Sequence, residues 1–72
     1  MKTFMQRTNL NRLKAVLADR GRTGKWLAGQ LNKDPATVSK WCTNRCQPDL
    51  PTLHRIAILL QIDVKDLLVS NQ

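Results

Sequence analysis

Glutamate and tyrosine are absent from this chain of 72 residues, phenylalanine and histidine occur once each, and five aspartates carry all the acidic charge. No paired carboxylates, no nucleophile beside a base and no phosphate-cradling glycine loop can be read, and so small a chain has little volume for a catalytic pocket. Enzymatic activity is not expected. Long apolar runs are missing as well, the longest being Ile56 to Leu60, far short of a membrane-spanning helix. The opening MKTFMQRTN lacks the apolar stretch of a signal peptide, which points to a cytoplasmic protein. In that reducing compartment Cys42 and Cys46 read as free thiols, and with His54 they are too scattered for a metal site. No cofactor or metal is expected. Proline and glycine, three of each, are too few for a collagen-like or low-complexity chain.

What is present is a hydrophobic fraction of 42%, enough for one small core, and twelve Lys and Arg that leave a net charge of +7. Such a balance calls for an anionic partner, with nucleic acid ahead of a membrane surface. Single-stranded RNA is disfavoured because stacking on bases needs exposed aromatics, and the chain has two Trp and one Phe.

Apolar spacing predicts an all-α domain of five helices over residues 9–72, preceded by an arm at 1–8. The first helix runs from Asn9 to Arg20 on the stripe Leu10, Leu13, Val16 and Leu17, and Gly21 stops it in a left-handed conformation. Thr23 caps a second helix carrying Leu27, Ala28 and Leu31. Asp34-Pro35 starts a third that continues to Cys42. Asp49 starts the fourth, whose inner stripe is Leu50, Leu53, Ile56, Ala57 and Leu60, and Asp63 starts a short fifth with Val64, Leu67 and Leu68. With three of the five aspartates at helix starts, the basic residues remain uncompensated at the surface.

The second and third helices, joined by about three residues, have the spacing of a helix-turn-helix. Ala28 is small where the two helices must cross closely. Leu27, Leu31, Val38 and Trp41 fill the wedge against the first helix, and Asn32 stands where the turn needs a residue tolerant of positive φ.

Over roughly Leu13 to Leu68 the chain resembles the phage Cro and repressor-like helix-turn-helix proteins, the XRE family, whose fold is the lambda-repressor-like bundle. The carriers are Thr23, Leu27-Ala28, Leu31, Thr37-Val38-Ser39-Lys40-Trp41, Gln47-Pro48, Leu53, Ile56-Ala57, Leu60 and Leu67-Leu68, and TVSKWCTNRCQP looks like the small stand-alone bacterial regulators of that group. Gly24 departs from the phosphate-binding Gln that members often carry there, Asn32 from a turn Gly, and Lys33 from an apolar residue. Leu17 and Cys42 stand where many members pair an Arg with a Glu, an exchange that need not weaken the fold.

The resemblance implies duplex DNA as the partner, with the third helix in the major groove. At 100° per residue, Val38, Trp41 and Cys42 turn inward and Ala36, Lys40 and Thr43 outward, with Thr37 and Ser39 on the flanks. Lys40 can donate to guanine, Ala36 can touch a thymine methyl, and Thr37 or Ser39 can bond a base or a phosphate. So thin a vocabulary leaves much of the specificity to DNA shape. Phosphate contacts are expected from Thr23, Lys25, Thr43, Asn44 and Arg45, with Arg22 and Lys33 as lesser candidates. Trp26, at a position the family often makes polar, is expected to be half exposed, packed on the arm or part of a partner contact. Ile58, Leu59 and Leu68 add apolar surface beyond the inner stripe, and following family practice this implies a homodimer on a near-palindromic operator. A second reading is an antitoxin or a restriction-modification controller subunit that binds a protein partner as well as DNA.

Overall fold

The computed structural model describes residues 9–70, so the arm expected at 1–8 lies outside the described residues. Four α-helices follow in order, α1 (Leu13–Asp19), α2 (Gly24–Leu31), α3 (Pro35–Cys42) and α4 (Leu50–Leu60), and a single 3-10 turn (Val64–Leu67) follows them. Short polar side chains set most of the starts. Thr23 accepts a hydrogen bond from Trp26 N at 3.0 Å, Asp34 from Ala36 N at 2.8 Å and Asp49 from Thr52 N at 2.9 Å, each satisfying an N–H that its helix leaves without a partner. Left-handed residues set the stops. Gly21 at φ +66° lets Arg22 N reach back to Leu17 O at 2.8 Å, and Asn32 at φ 57° lets Lys33 N reach Ala28 O at 2.9 Å.

Three expectations are corrected. The simplest concerns Leu50, which at the first position of α4 is 77% exposed and not part of its inner stripe. The first helix begins at Leu13 and not at Asn9, because Asn11 Oδ1 accepts from Leu13 N at 2.9 Å and the residues before it are drawn into a pairing with the other end of the chain. Arg12 N donates to Leu67 O at 2.8 Å and Val69 N to Leu10 O at 2.9 Å, so Asn11 and Leu68 form an antiparallel bridge. The fifth helix is only the 3-10 turn, since Leu68 leaves it in extended backbone to make that bridge. Asp63 and Asp66 still cap the turn reciprocally.

The core is one cluster to which every element contributes: Leu13, Val16 and Leu17 from α1, Leu27, Ala28 and Leu31 from α2, Val38 and Trp41 from α3, and Leu53, Ile56, Ala57 and Leu60 from α4. Leu67 of the 3-10 turn is fully buried and closes it, which covers part of α4 but leaves Ile58 outside. Ala28 is buried at the α2–α3 crossing, where its size matters as the sequence suggests.

Candidate nucleic-acid interface

The outer face of α3 follows from its inner one. Val38 and Trp41 are buried, which turns Ala36, Ser39 and Lys40 to the exposed side and leaves Thr37 half-buried on the flank. Lys40 lies in the last turn of α3, where its charge also complements the helix dipole.

Beside this face lies an open cleft of about 390 Å³ between α1 and the starts of α2 and α3. Lys14, Arg22, Lys25, Ser39 and Thr43 bring three cations and two hydroxyls to its walls, and no carboxylate lines it. Asp19 and Asp66 instead share a separate groove with Arg12 and Arg20, and Asp34, Asp49 and Asp63 cap the starts of α3, α4 and the 3-10 turn. Arg22 is held by stacking, its guanidinium carbon 4.5 Å from the centre of the Trp26 ring. That contact and packing against the core account for the half-burial of Trp26. Gly24 keeps the cleft open at the first position of α2, where an added Cβ would stand in ordinary contact with Val38 Cγ1 at 3.5 Å. Cys42 lines the cleft too; burial pushes its thiol pKa up, against an opposing pull from the charge of Lys14. Lys14 is a cleft residue that the sequence reading passed over. The signal was available, since Lys14 sits one turn before Leu17, the residue already matched with Cys42.

The expected phosphate ligands divide. Thr23 and Lys25 are exposed at the start of α2, and the bond that Thr23 accepts from Trp26 N uses a lone pair of its oxygen and not its proton. Arg45 is exposed in the loop after α3, and its N–H donates to Lys40 O at 2.9 Å, which fixes where the side chain leaves the backbone. Thr43 donates its hydroxyl inward, to Ser39 O at 3.0 Å and Lys40 O at 3.3 Å. Asn44 is engaged inside the protein. Its Oδ1 accepts from Leu10 N at 2.9 Å, Asn11 N at 3.0 Å and Gln47 Nε2 at 3.0 Å, while its Nδ2 donates to Asn11 O at 3.2 Å. The carboxamide expected at a phosphate thus has a structural role inside the protein.

Asn11, the buried polar residue among the core, completes this clasp by donating from Nδ2 to Trp41 O at 2.9 Å and Gln47 Oε1 at 2.6 Å. The end of α3 is thereby tied to the segment before α1. Sequence reading missed Asn11 and the clasp role of Gln47, because partners thirty or more positions apart leave no local pattern.

The remaining candidates lie apart from this face. Ile58 is 62% exposed and Leu68 45%, whereas Leu59 is half-buried and packs on the core. Among the described residues no helix is long and apolar enough to cross a membrane, and no group of three His, Cys, Asp or Glu could hold a metal ion.

Comparison with known proteins agrees with this arrangement. The family described as the Cro/C1-type HTH DNA-binding domain matches residues 12–72. The chain is also similar to a crystal structure of a candidate DNA-binding protein from Bacteroides fragilis, with 47% identity over 83% of this chain and 97% of that one and a TM-score of 0.82. No curated protein matches the chain. The span of the family match, with a helix-turn-helix at its centre and a basic, acid-free cleft beside it, shows that the chain belongs to the Cro/C1-type helix-turn-helix DNA-binding family.

Proposed function

We propose that the protein is a sequence-specific regulator that places α3 in the major groove of duplex DNA and works as a two-fold dimer. The observation that carries this reading is the exposed face of Ala36, Ser39 and Lys40 next to a cleft of three cations without an acid. Lys40 is the main base reader, with Ala36, Thr37 and Ser39 supplying apolar and hydroxyl contacts. Thr23, Lys25 and Arg45 hold the backbone, joined by Lys14 and Arg22 from the cleft. Thr43 contributes through the end of α3 that its hydroxyl closes.

Selection of bound sequences from a random duplex pool tests the reading, since a regulator of this kind enriches one motif. Lys40→Ala should then cost about 1–3 kcal/mol on the preferred site and relax one base position. Arg45→Ala should weaken all sequences alike and reduce the salt slope by about one unit. No enrichment over random DNA would overturn sequence-specific binding.

The dimer reading is supported by Ile58 and Leu68, which remain exposed after the 3-10 turn has packed, with half-buried Leu59 next to Ile58 in α4. Two copies joined there would present recognition helices about one DNA turn, ~34 Å, apart. Sedimentation equilibrium with and without the selected duplex checks it. Ile58→Asp should give a folded monomer with weakened binding to the full site; a wild-type monomer on a single half-site would exclude the dimer.

A further inference from the structure

The helix-turn-helix reading leaves Trp26 without a task. It stands in the first turn of α2, half-buried, with its ring packed on the core and the Arg22 guanidinium carbon 4.5 Å from the ring centre. Arg12, Arg20 and Arg22 flank α1 and use their side chains in two ways. Arg12 donates from Nη1 to Asp66 O at 2.9 Å and Arg20 from Nη2 to Gln61 O at 3.5 Å, so both turn donors back onto the protein. Arg22 instead offers the face of its guanidinium to the Trp26 ring. A planar guanidinium carries its five N–H donors at the edge, so a stack on the face holds the group and leaves the donors available. Among the described residues no side-chain hydrogen bond or ion pair takes them up.

The place of Arg22 matters as well. It borders both the cationic cleft, with Lys14 and Lys25, and a polar groove of about 210 Å³ at the end of α4, with Arg20, Leu59, Leu60 and Gln61. The carbonyl end of α4 attracts cations into that groove, as the bond from Arg20 shows. An unstacked Arg22 side chain would feel that draw on one side and a DNA phosphate on the other, with its rotamers still to be frozen in either case.

We propose that Trp26 is a positioning residue for DNA binding: its ring holds the Arg22 guanidinium at the cleft, with the edge donors free to meet a backbone phosphate oxygen. The proposal rests on the duplex-DNA reading and adds to it the device that orders Arg22 before DNA arrives, so that less side-chain freedom is lost on binding. Trp26 acts through Arg22 and not by stacking on a base.

Binding of the full chain to a labelled duplex of one fixed sequence, followed by fluorescence anisotropy across a salt series, tests the device, since a backbone contact needs no preferred site. Trp26→Leu should weaken binding about two- to fivefold, the factor equivalent to an exposed cation–π contact, and lower the salt slope by up to about one unit. Trp26→Tyr keeps a ring and should restore both. In an Arg22→Ala background Trp26→Leu should add nothing, because the group it holds is already gone. Urea unfolding of each variant separates lost stability from lost binding. A wild-type slope in Trp26→Leu, or the same loss with Arg22 and without it, would reduce Trp26 to core packing and overturn the proposal. A second readout is the NMR signal of the Arg22 δ-methylene protons, which the ring should shift upfield in the free protein and still in the complex. A shift lost on binding would mean that Arg22 leaves the ring to reach phosphate, and that also overturns it. A wild-type chain that binds no duplex would remove the DNA reading and this role with it, whereas wild-type binding with indifferent variants would remove only the role of Trp26.

Discussion

Two asparagines bracket α3, both left-handed, Asn32 at φ 57° before it and Asn44 at φ 59° after it, but they solve different problems. Asn32 is exposed in the turn between α2 and α3, and what it supplies is backbone conformation. Asn44 supplies the same conformation and also a carboxamide that holds Leu10, Asn11 and Gln47. The first is a local turn device that a glycine could replace. The second joins a turn to a distant part of the chain, and only a side chain can do that.

Substitutions at the two positions should separate backbone from side chain. The largest effect belongs to Asn44→Ala, which puts a Cβ residue without local polar compensation at positive φ and leaves the Leu10 and Asn11 N–H groups without their acceptor. A loss of about 3 kcal/mol in urea unfolding is expected. Asn44→Gly relieves the backbone and removes only the clasp, so about 2 kcal/mol should remain lost. A glycine variant as stable as wild type would mean that the clasp contributes nothing and that the two asparagines are alike after all.

A local cap gives a smaller effect of a different kind. Hydrogen bonds from Thr52, side chain first and backbone N–H second, hold the Asp49 carboxyl below its usual range, helped by the charge of Lys33. A carboxylate whose folded pKa is depressed stabilises the fold fully above its unfolded value of about 3.9 and loses that contribution as pH falls through the folded value. Asp49→Asn keeps an N-cap oxygen without titrating. The stability gap between wild type and Asp49→Asn should therefore narrow from neutral pH to about pH 2 in thermal melts. A gap that widens with acid would reverse the assignment. The smallest effect is Asn32→Gly, where glycine meets the same backbone need and the change should stay within about 0.5 kcal/mol. A loss above 1 kcal/mol would reveal a side-chain role at Asn32 and remove the contrast.

The same contrast governs what could be read from the sequence. Asp34-Pro35 fixed the start of α3, and inward Val38 and Trp41 fixed its faces, because a cap, a ring-locked φ and a helical period are all local. The left-handed roles of Gly21 and Asn32 were legible for the same reason. Asn9–Arg20 was read as a single helix because Leu10 fits the apolar period, yet its N–H is bonded to Asn44 and its carbonyl to Val69. Leu68 likewise fits a helical period but is taken into the bridge with Asn11. At the DNA face, exposed cations could be listed from the sequence, whereas the inward commitment of Asn44 and the place of Lys14 in the cleft depend on how α1 meets α3.

The bridge between Asn11 and Leu68 bears on the order in which the molecule is made. Leu67, fully buried, and the carbonyl that receives Arg12 N leave the ribosome after all four α-helices, although the helix they secure, α1, is the first of the four to emerge. The loop they close spans nearly the whole described chain, so its entropic cost is met only after the helices between have been synthesised. A nascent chain stopped before Leu67 leaves α1 without its backbone partner and the core without its closing side chain. The domain is thus completed as a unit once Leu67 has been synthesised rather than helix by helix, and chains stopped short of it lack the closed core behind α3.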